Sequence, residues 1–480
     1  MSDDTAATGA DDPWGFAAGS ASRQPRGGAD FLGDKVRLNE AKPGEDRLNP
    51  ESSVSAMAAL RQRARPLAVS LAAVFVFGFI TEVVAATRFV HFLGPKAIII
   101  IYPLGSLALI GVAFLQMKWI DRIRRDKAFF RVAMGYAVGF LVAIVLIAIP
   151  STTVFGTGFV WLLADQLNFL LPLIVWAIVG DLFNTGEARM VYPWVTSWQY
   201  GGQLVGLAIP ALAPLIFVPL GIPLPALLIV CPIGILCLGI FLPRALKGRP
   251  ISQGHGKDET VKESLQSAWS FVGGVKAFRA MFVTSILVFV AGMSLEASFL
   301  NSANRYLGSE AKFQVLYGAT LVVVFIICGT LQRFSTTKIL ERLNIPGSLA
   351  VLPIGAIVAS AVMLLGLALH ILPILVVAII GWWVPRWSID DVARRAALAL
   401  VPDERRARVS FLVDLVPFAA GLLVAGGITA IAAACGALAV APLIALPIAA
   451  LAMVPARKMI AAWPDSLLSH HLKRRKRLSD

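Results

Sequence analysis

The sequence predicts an all-α polytopic membrane protein of about twelve transmembrane helices, arranged as two pseudo-symmetric six-helix bundles. The composition, the shape of the apolar runs and an internal repeat lead to this prediction. Of the 480 residues, 57% are hydrophobic and only 15% are charged, whereas about 25% of the residues in a soluble domain are charged. The apolar runs are continuous and long enough to cross a bilayer, which favours helices over a β-barrel, whose strands alternate.

A repeated segment divides the chain into two halves. Glu82 lies inside an apolar run that ends in Leu-Gly, and Glu296 lies inside a second run that also ends in Leu-Gly. The glutamate, the Leu-Gly pair and a following alanine, Ala97 or Ala311, recur at a constant spacing of 214 positions. Because the recurrence has no gap, we predict that the two halves are built on one plan.

Changes in composition mark five regions. Residues 1–60 are rich in Gly, Ala, Asp, Ser and Pro and contain few aromatic residues, which predicts disorder. Leu265, Trp269 and Val272 follow helical spacing and predict an amphipathic helix on the cytoplasmic membrane surface. The predicted regions are a disordered cytoplasmic tail (1–60), a first six-helix bundle (61–243), a cytoplasmic linker with the amphipathic helix (244–278), a second six-helix bundle (279–455) and a basic cytoplasmic tail (456–480).

The net charge of +14 is distributed in a way that indicates membrane topology rather than nucleic-acid binding. Basic residues gather in every second loop, while the intervening loops are short and nearly uncharged. By the positive-inside rule, both termini and all the basic loops are cytoplasmic, and we expect a multi-pass protein of a bacterial inner membrane. The basic segment Lys473–Arg477 fits contact with anionic lipid of the bilayer.

The cysteines and histidines give no sign of a metal site, a cofactor or a catalytic centre. The four cysteines fall singly within apolar runs, without the spacing of a metal site or a disulfide framework. A glycine-rich phosphate loop is not present, and no histidine is placed beside a nucleophile in the sequence. We therefore expect no metal and no cofactor, and we do not expect an enzyme.

Glu82 and Glu296 are the main candidates for function. A charged side chain at the middle of a membrane helix costs about 2.5–3.5 kcal/mol on insertion scales, so it is expected to face the bundle interior or water. In the functional interpretation, the two glutamates are proton-coupling or ion-pairing groups. In the structural alternative, an ion pair or a protonated side chain only fixes the packing of the helices.

Other polar residues share helix faces with one another. Asp165 and Asn168 are three positions apart, and Gln199 and Gln203 are four positions apart, so each pair projects from one face. In the functional interpretation these faces line a cavity. Hydrogen bonding between helices without a ligand explains the two glutamines equally well.

The cations best placed to attract an anion are Arg88, Arg305 and Arg386. Arg386 follows Trp382 and Trp383, so the alternative for this residue is a cation that snorkels to the membrane interface among aromatic side chains. The complete predicted substrate site consists of Glu82, Arg88, Asp165, Asn168, Gln199, Gln203, Glu296, Asn301, Arg305 and Arg386.

Three segments resemble the nucleotide transporter family, the ATP/ADP antiporters and their relatives within the major facilitator superfamily. Residues 186–189 read Gly-Glu-Ala-Arg and are followed by Tyr-Pro at 192–193, similar to the Glu-Ala-Lys/Arg and aromatic-Tyr-Pro elements after that family's fourth helix. Residues 93–97 resemble its turn after the first helix, and residues 391–414 resemble its loop into the eleventh. The first helix departs from the family pattern, because Glu82 stands where the antiporters are expected to carry cations.

The resemblance implies two six-helix bundles and an anionic cargo, such as a nucleotide or a phosphorylated metabolite. Our leading hypothesis is a secondary transporter that works by alternating access and is coupled to protons. The alternative is a protein of the same shape that transports nothing and binds lipid, pigment or a partner membrane protein. For the transporter, the predicted inner-gate residues are Glu187, Arg189, Asp391, Arg394 and Asp414. We expect ion pairs in the Glu187/Arg189 and Asp391/Arg394 groups that break when the cavity opens inward.

Overall fold

The computed structural model describes residues 50–119, 123–183, 185–249, 251, 261–398, 401, 403–437 and 440–479. These residues are helical apart from short loops and turns. The helices are α1 (Pro50–Leu93), α2 (Pro95–Trp119), α3 (Arg125–Ala148), α4 (Thr153–Leu182), α5 (Thr185–Phe217), α6 (Val230–Ala245), α7 (Val261–Gly274), α8 (Lys276–Leu307), α9 (Glu310–Phe334), α10 (Thr336–Leu349), α11 (Val351–Leu369), α12 (Leu372–Pro385), α13 (Asp391–Leu398), α14 (Asp403–Ala434) and α15 (Val440–Ser479).

Twelve segments in the described part of the chain are long and apolar enough to cross a membrane, which confirms the predicted helical membrane fold. The first half contributes α1 to α6. The second half contributes α8, α9, α11, α12 together with α13, α14 and α15. A π-helical turn at Arg386–Asp390 joins α12 to α13. The two short helices that remain, α7 and α10, connect membrane spans.

The ends of the chain differ in extent from the predicted regions. The first helix begins at Pro50, inside the segment that we predicted to be a tail. The last helix continues to Ser479 and therefore runs through the predicted basic tail. Residues 1–49 lie outside the described residues. In the predicted linker, α7 buries Val272 and leaves Trp269 58% exposed, with its ring against Phe282.

The packing of helices inside each half is repeated. A Cβ atom on Gly206 of α5 would lie 2.8 Å from the carbonyl oxygen of Phe75 on α1. In the second half, a Cβ atom on Gly421 of α14 would lie 2.7 Å from Cβ of Phe289 on α8. Phe289 follows Phe75 by 214 positions and Gly421 follows Gly206 by 215. The first and fifth spans of each half therefore cross at equivalent points, where glycine allows the backbones to approach closely.

The halves also meet through equivalent contacts. The second span of each half packs against the fifth span of the other, as α2 against α14 and α9 against α5. A Cβ atom on Gly318 of α9 would lie 2.8 Å from Cβ of Ala211, and one on Gly426 of α14 would lie 3.0 Å from Cδ of Pro103. Gly318 follows Pro103 by 215 positions, and Gly426 follows Ala211 by the same number, so the two contacts are equivalent. The interface between the halves thus has approximate two-fold symmetry, and the described residues from Met57 onward form one compact unit.

Candidate functional site

Each half places a glutamate of its first span against a hydrogen-bond donor of its fourth span. Nδ2 of Asn168 on α4 donates to Oε2 of Glu82 on α1 at 2.8 Å. Nε1 of Trp383 on α12 donates to Oε2 of Glu296 on α8 at 3.4 Å. The donors are 215 positions apart and the acceptors 214, so the same arrangement is built twice with different donor side chains.

A glycine one helical turn before each glutamate brings the donor helix close. A Cβ atom on Gly78 would lie 1.9 Å from Oδ1 of Asn168. A Cβ atom on Gly292 would lie 1.8 Å from Cζ2 of Trp382. Since a side chain at either position would overlap its neighbour, the two glycines allow the spacing between the first and fourth spans that the hydrogen bonds require.

Asp165 joins the two glutamates to form a group of three carboxyls, which we call the acidic cluster (Glu82, Asp165 and Glu296). Asp165 lies one helical turn after Trp161, whose side chain interacts with it. Each carboxyl is close enough to the other two for electrostatic interaction, although Glu296 belongs to the other half. All three side chains retain some accessible surface, whereas most of the flanking residues on α1 and α8 are completely buried. The cluster therefore faces the space between the halves.

Two tyrosines that the sequence analysis did not select also face the acidic cluster. Tyr102 on α2 interacts electrostatically with Asp165 and Glu296, and Tyr317 on α9 interacts with all three carboxyls. Each is the eighth residue of its helix, and they are 215 positions apart. Aligning the two halves beyond the Leu-Gly turn, with one extra residue allowed in the second half, would have identified both tyrosines. The Tyr102 hydroxyl is buried without a hydrogen-bond partner among the described residues.

Arg386 is the predicted cation that lies near the acidic cluster, where it interacts electrostatically with Glu296. Its guanidinium carbon lies 4.1 Å from the ring centroid of Phe289 and 5.6 Å from that of Phe418. It also lies 3.9 Å from Oδ2 of Asp390. Interactions of this kind hold a cation in an apolar interior, and they leave Arg386 with several partners of its own.

The placement of Trp382 and Trp383 corrects one sequence interpretation. We considered that these tryptophans mark a membrane interface to which Arg386 snorkels. Trp382 is completely buried, Trp383 is 4% exposed, and the Arg386 side chain is 15% exposed. The aromatic side chains pack inside the second half because Gly292 leaves room for them on α8. Arg386 is therefore an interior residue.

Several predicted substrate residues lie away from the acidic cluster or have other partners. Asn301 donates to the Ala297 carbonyl of its own helix, and Arg305 is exposed in the last turn of α8. Arg88 donates to both carboxylate oxygens of Glu310 at 3.0 Å. The two predicted residues on α5 are Gln199, which is half-buried, and Gln203, which is buried. Oε1 of Gln203 has no hydrogen-bond partner among the described residues.

The predicted gate residues form ion pairs that include residues we did not select. Glu187 pairs with Arg63 of α1 at 3.1 Å, and the side chain of Arg189 lies outside the described residues. Asp391 pairs with Arg395, one helical turn on, at 3.0 Å. Residues three and four positions apart are both neighbours on a helix surface, so spacing alone does not select Arg395 over Arg394 as the partner of Asp391.

Arg394 binds Asp390 instead of Asp391. Its Nη2 donates to Oδ2 of Asp390 at 2.7 Å, and its Nη1 donates to Oγ of Ser285 on α8 at 2.7 Å. Nε lies 3.7 Å from Oδ1 of Asp414 on α14. All of these residues belong to the second half. The Arg394 pairs therefore join spans within that half.

No protein-family model matches the sequence, and no curated protein matches it. Solved transporters do have a similar structure. A POT family transporter in complex with 5-aminolevulinic acid aligns with 82% of this chain and 96% of its own, with a TM-score of 0.62 and 13% identity. The nucleoside transporter NupG aligns with 84% of this chain and 98% of its own, with a TM-score of 0.59 and 11% identity. A bacterial homologue of the human lysosomal transporter Spinster, inward-facing and unoccupied, gives a TM-score of 0.56.

This chain has the major facilitator fold. At the end of the major facilitator bundle where α1 meets α2, which we predicted to be the outer end, three side-chain contacts between α1 and the second half are among those that join the halves. One is the pair Arg88–Glu310. In the others, Nδ1 of His91 lies 3.0 Å from Oδ1 of Asn304, and Nδ2 of Asn304 donates to the Val90 carbonyl at 3.2 Å. The described conformation is therefore closed at this end.

Reversing the charge of Arg88 is expected to weaken this closure. Arg88→Glu places two carboxylates together where an ion pair stood, and it should shift the population toward a separated state by roughly fivefold to tenfold, about 1 kcal/mol. Spin labels on Lys96→Cys and Lys312→Cys, which are exposed on opposite halves, report the separation as a longer electron–electron distance. The double variant Arg88→Glu/Glu310→Arg should restore the shorter distance. An unchanged distance distribution in Arg88→Glu would contradict a gating role.

Proposed function

We propose that this protein is a secondary transporter in which the two halves rock about the acidic cluster and expose it alternately to each side of the membrane. The observation that carries the proposal is the position of Glu82 and Glu296, which are equivalent residues of duplicated halves and meet at the interface between them. Solved structures with the same fold are described as transporters of peptides and of nucleosides. Their similarity in fold supports the class of protein. Because their sequence identity to this chain is low, they do not indicate its cargo.

Protons are the proposed coupling ion. Three carboxyl groups in a low-dielectric interior repel one another when ionised, and each needs a cation or a proton to offset its charge. The hydrogen bonds from Asn168 and Trp383 orient Glu82 and Glu296 but bring no positive charge. A cluster that takes up a proton when open to one side and releases it when open to the other links proton movement to solute movement.

The anionic cargo implied by the family resemblance has weaker support from the contacts. Arg88 is paired with Glu310, Arg386 lies beside Asp390 and between aromatic rings, and Arg305 is exposed at the end of α8. The predicted cations therefore have carboxylate partners or lie away from the acidic cluster. Nucleotides and phosphorylated metabolites remain compounds to be tested on the strength of the resemblance.

Uptake into proteoliposomes with an imposed pH gradient tests the transporter proposal. We expect a panel of amines, amino acids, peptides, nucleosides and nucleotides to contain a compound whose uptake follows the gradient. Glu82→Gln and Glu296→Gln should each abolish the dependence of uptake on pH and slow it about tenfold or more. Asp465→Asn, which changes an exposed acid on α15, should leave uptake unchanged.

Two outcomes would contradict this proposal in different ways. If both glutamine variants keep the wild-type rate and pH dependence, the coupling role of the glutamates is lost. If no compound is taken up and the protein co-purifies stoichiometrically with a membrane protein, lipid or pigment, the binding protein that we named as the alternative is supported instead.

A further inference from the structure

We propose that the acidic cluster binds the positively charged ammonium group of a small organic solute. This inference names the cargo of the transporter proposed above, and it rests on that proposal for the movement of the solute but not for its binding. It depends on two independent features of the described residues: the balance of charge around the cluster, and a buried, unpaired hydroxyl that faces it.

Acidic groups outnumber basic groups around the acidic cluster among the described residues. Glu82, Asp165 and Glu296 face one another, and Arg386 is the cation in electrostatic contact with Glu296. Arg386 also lies 3.9 Å from Asp390 and against aromatic rings, so its charge is shared. A cationic group would offset the remaining charge, whereas a phosphate or carboxylate would add to the repulsion.

The Tyr102 hydroxyl is the second feature. The residue is 4% exposed, its hydroxyl has no hydrogen-bond partner among the described residues, and it lies close enough to Asp165 and Glu296 to interact with both. A buried hydroxyl without a partner costs free energy, and such groups are normally satisfied by protein, water or ligand. An ammonium group or a hydroxyl on the solute would provide a partner here.

Aromatic rings around the cluster suit an organic cation. The rings of Tyr317 and Trp383 lie 6.2 Å apart in an edge-to-face arrangement, and Trp383 donates to Glu296. The faces of such rings attract ammonium groups that carry carbon substituents. In the described part of the chain, no group of three or more acidic, histidine or cysteine side chains is close enough to hold a metal ion.

Protons and the organic cation would compete for the same carboxyls. A protonated carboxyl no longer attracts an ammonium group, so binding should weaken as the pH falls. Among the described residues, the titratable and charged groups that interact with the cluster are the three carboxyls themselves, Tyr102 of α2, Tyr317 of α9 and Arg386 after α12. Competition of this kind would exchange protons for the cation across the membrane without a separate coupling site.

Thermal unfolding of the detergent-solubilised full chain tests binding without requiring transport. The probes are choline, phenethylamine and spermidine, compared with acetate, inorganic phosphate and ADP. We expect at least one ammonium compound to raise the melting temperature, with a weaker effect at lower pH, and no stabilisation by the anions. Stabilisation by the anions, or by none of the six compounds, would overturn the inference.

Variants show whether the compound binds at the acidic cluster. Asp165→Asn should weaken the apparent affinity by roughly 10- to 100-fold, and Tyr102→Phe by about threefold to tenfold. Tyr306→Phe is the matched control, because the Tyr306 hydroxyl is hydrogen-bonded to His370 and lies away from the cluster. This variant should bind the ammonium compound with wild-type affinity. Each variant is first shown to be folded by size-exclusion chromatography. Normal affinity in folded Asp165→Asn would place the compound elsewhere.

The binding and uptake results separate the two proposals. If ammonium compounds bind at the cluster and are not taken up by proteoliposomes, the transporter proposal fails and the cation site stands. If an anion is taken up in a manner that depends on Glu82 and Glu296, the transporter stands and the cation site fails.

Discussion

Arg394→Met should lower the free energy of unfolding of the solubilised protein by about 3–5 kcal/mol. The Arg394 side chain is 7% exposed and that of Asp390 is 3% exposed, with 2.7 Å between Nη2 and Oδ2. Methionine preserves much of the volume of arginine but leaves the carboxylate of Asp390 buried without its closest cation. The cost is large because the unpaired charge, rather than the lost attraction, dominates it. Chemical or thermal unfolding in detergent measures the change.

Arg395→Met is the matched control for this prediction. Arg395 forms an ion pair with Asp391 at 3.0 Å, but the two side chains are 71% and 41% exposed. An exposed pair contributes about 0–1 kcal/mol, so this variant should unfold almost like the wild type. The double variant Asp390→Asn/Arg394→Met should recover part of the lost stability, because it removes the buried charge. Equal effects of Arg394→Met and Arg395→Met would show that burial does not govern the strength of these pairs.

Much of the fold could be predicted because membrane insertion imposes it on the sequence. A helix that crosses the bilayer must be apolar over about 20 residues, so the spans are visible as continuous runs. The duplication was visible because Glu82 and Glu296 are rare polar residues in such runs. Further equivalent pairs, such as Gly206 and Gly421 or Tyr102 and Tyr317, emerged only with the structure, because one residue is inserted after the Leu-Gly turn of the second half.

The pairing of the charged residues could not be predicted in the same way. Arg88 and Glu310 are 222 positions apart, and they meet because the end of α1 lies at the same level as the beginning of α9 in the opposite half. Sequence spacing identifies side chains that share a helix face, but it does not identify the helix that the face contacts. For this reason Glu310 was missed, Arg88 was expected in the central site, and Arg394 was expected to pair with Asp391 and not Asp390.

The second large effect is expected at the glycines that precede the two glutamates. Gly292→Ala introduces a Cβ atom 1.8 Å from Cζ2 of Trp382, which is completely buried and cannot swing aside. Overpacking of this kind costs about 1–3 kcal/mol and occasionally more. Because Trp383 follows directly on α12, the displacement should also weaken its hydrogen bond to Glu296. We therefore expect a lower melting temperature together with slower proton-linked uptake.

The test of this mechanism is a compensating substitution. Trp382→Phe removes the ring atoms that the new methyl group would meet, so Gly292→Ala/Trp382→Phe should be more stable than Gly292→Ala alone. Gly329→Ala on α9 is the control, since a Cβ atom there meets nothing within 4 Å, and alanine is the better helix former. The equivalent change in the first half, Gly78→Ala, should displace Asn168 from Glu82, because the new methyl group would lie 1.9 Å from Oδ1 of Asn168. If Gly78→Ala and Gly292→Ala both behave like Gly329→Ala, the close approach of the first and fourth spans does not hold the glutamates in place.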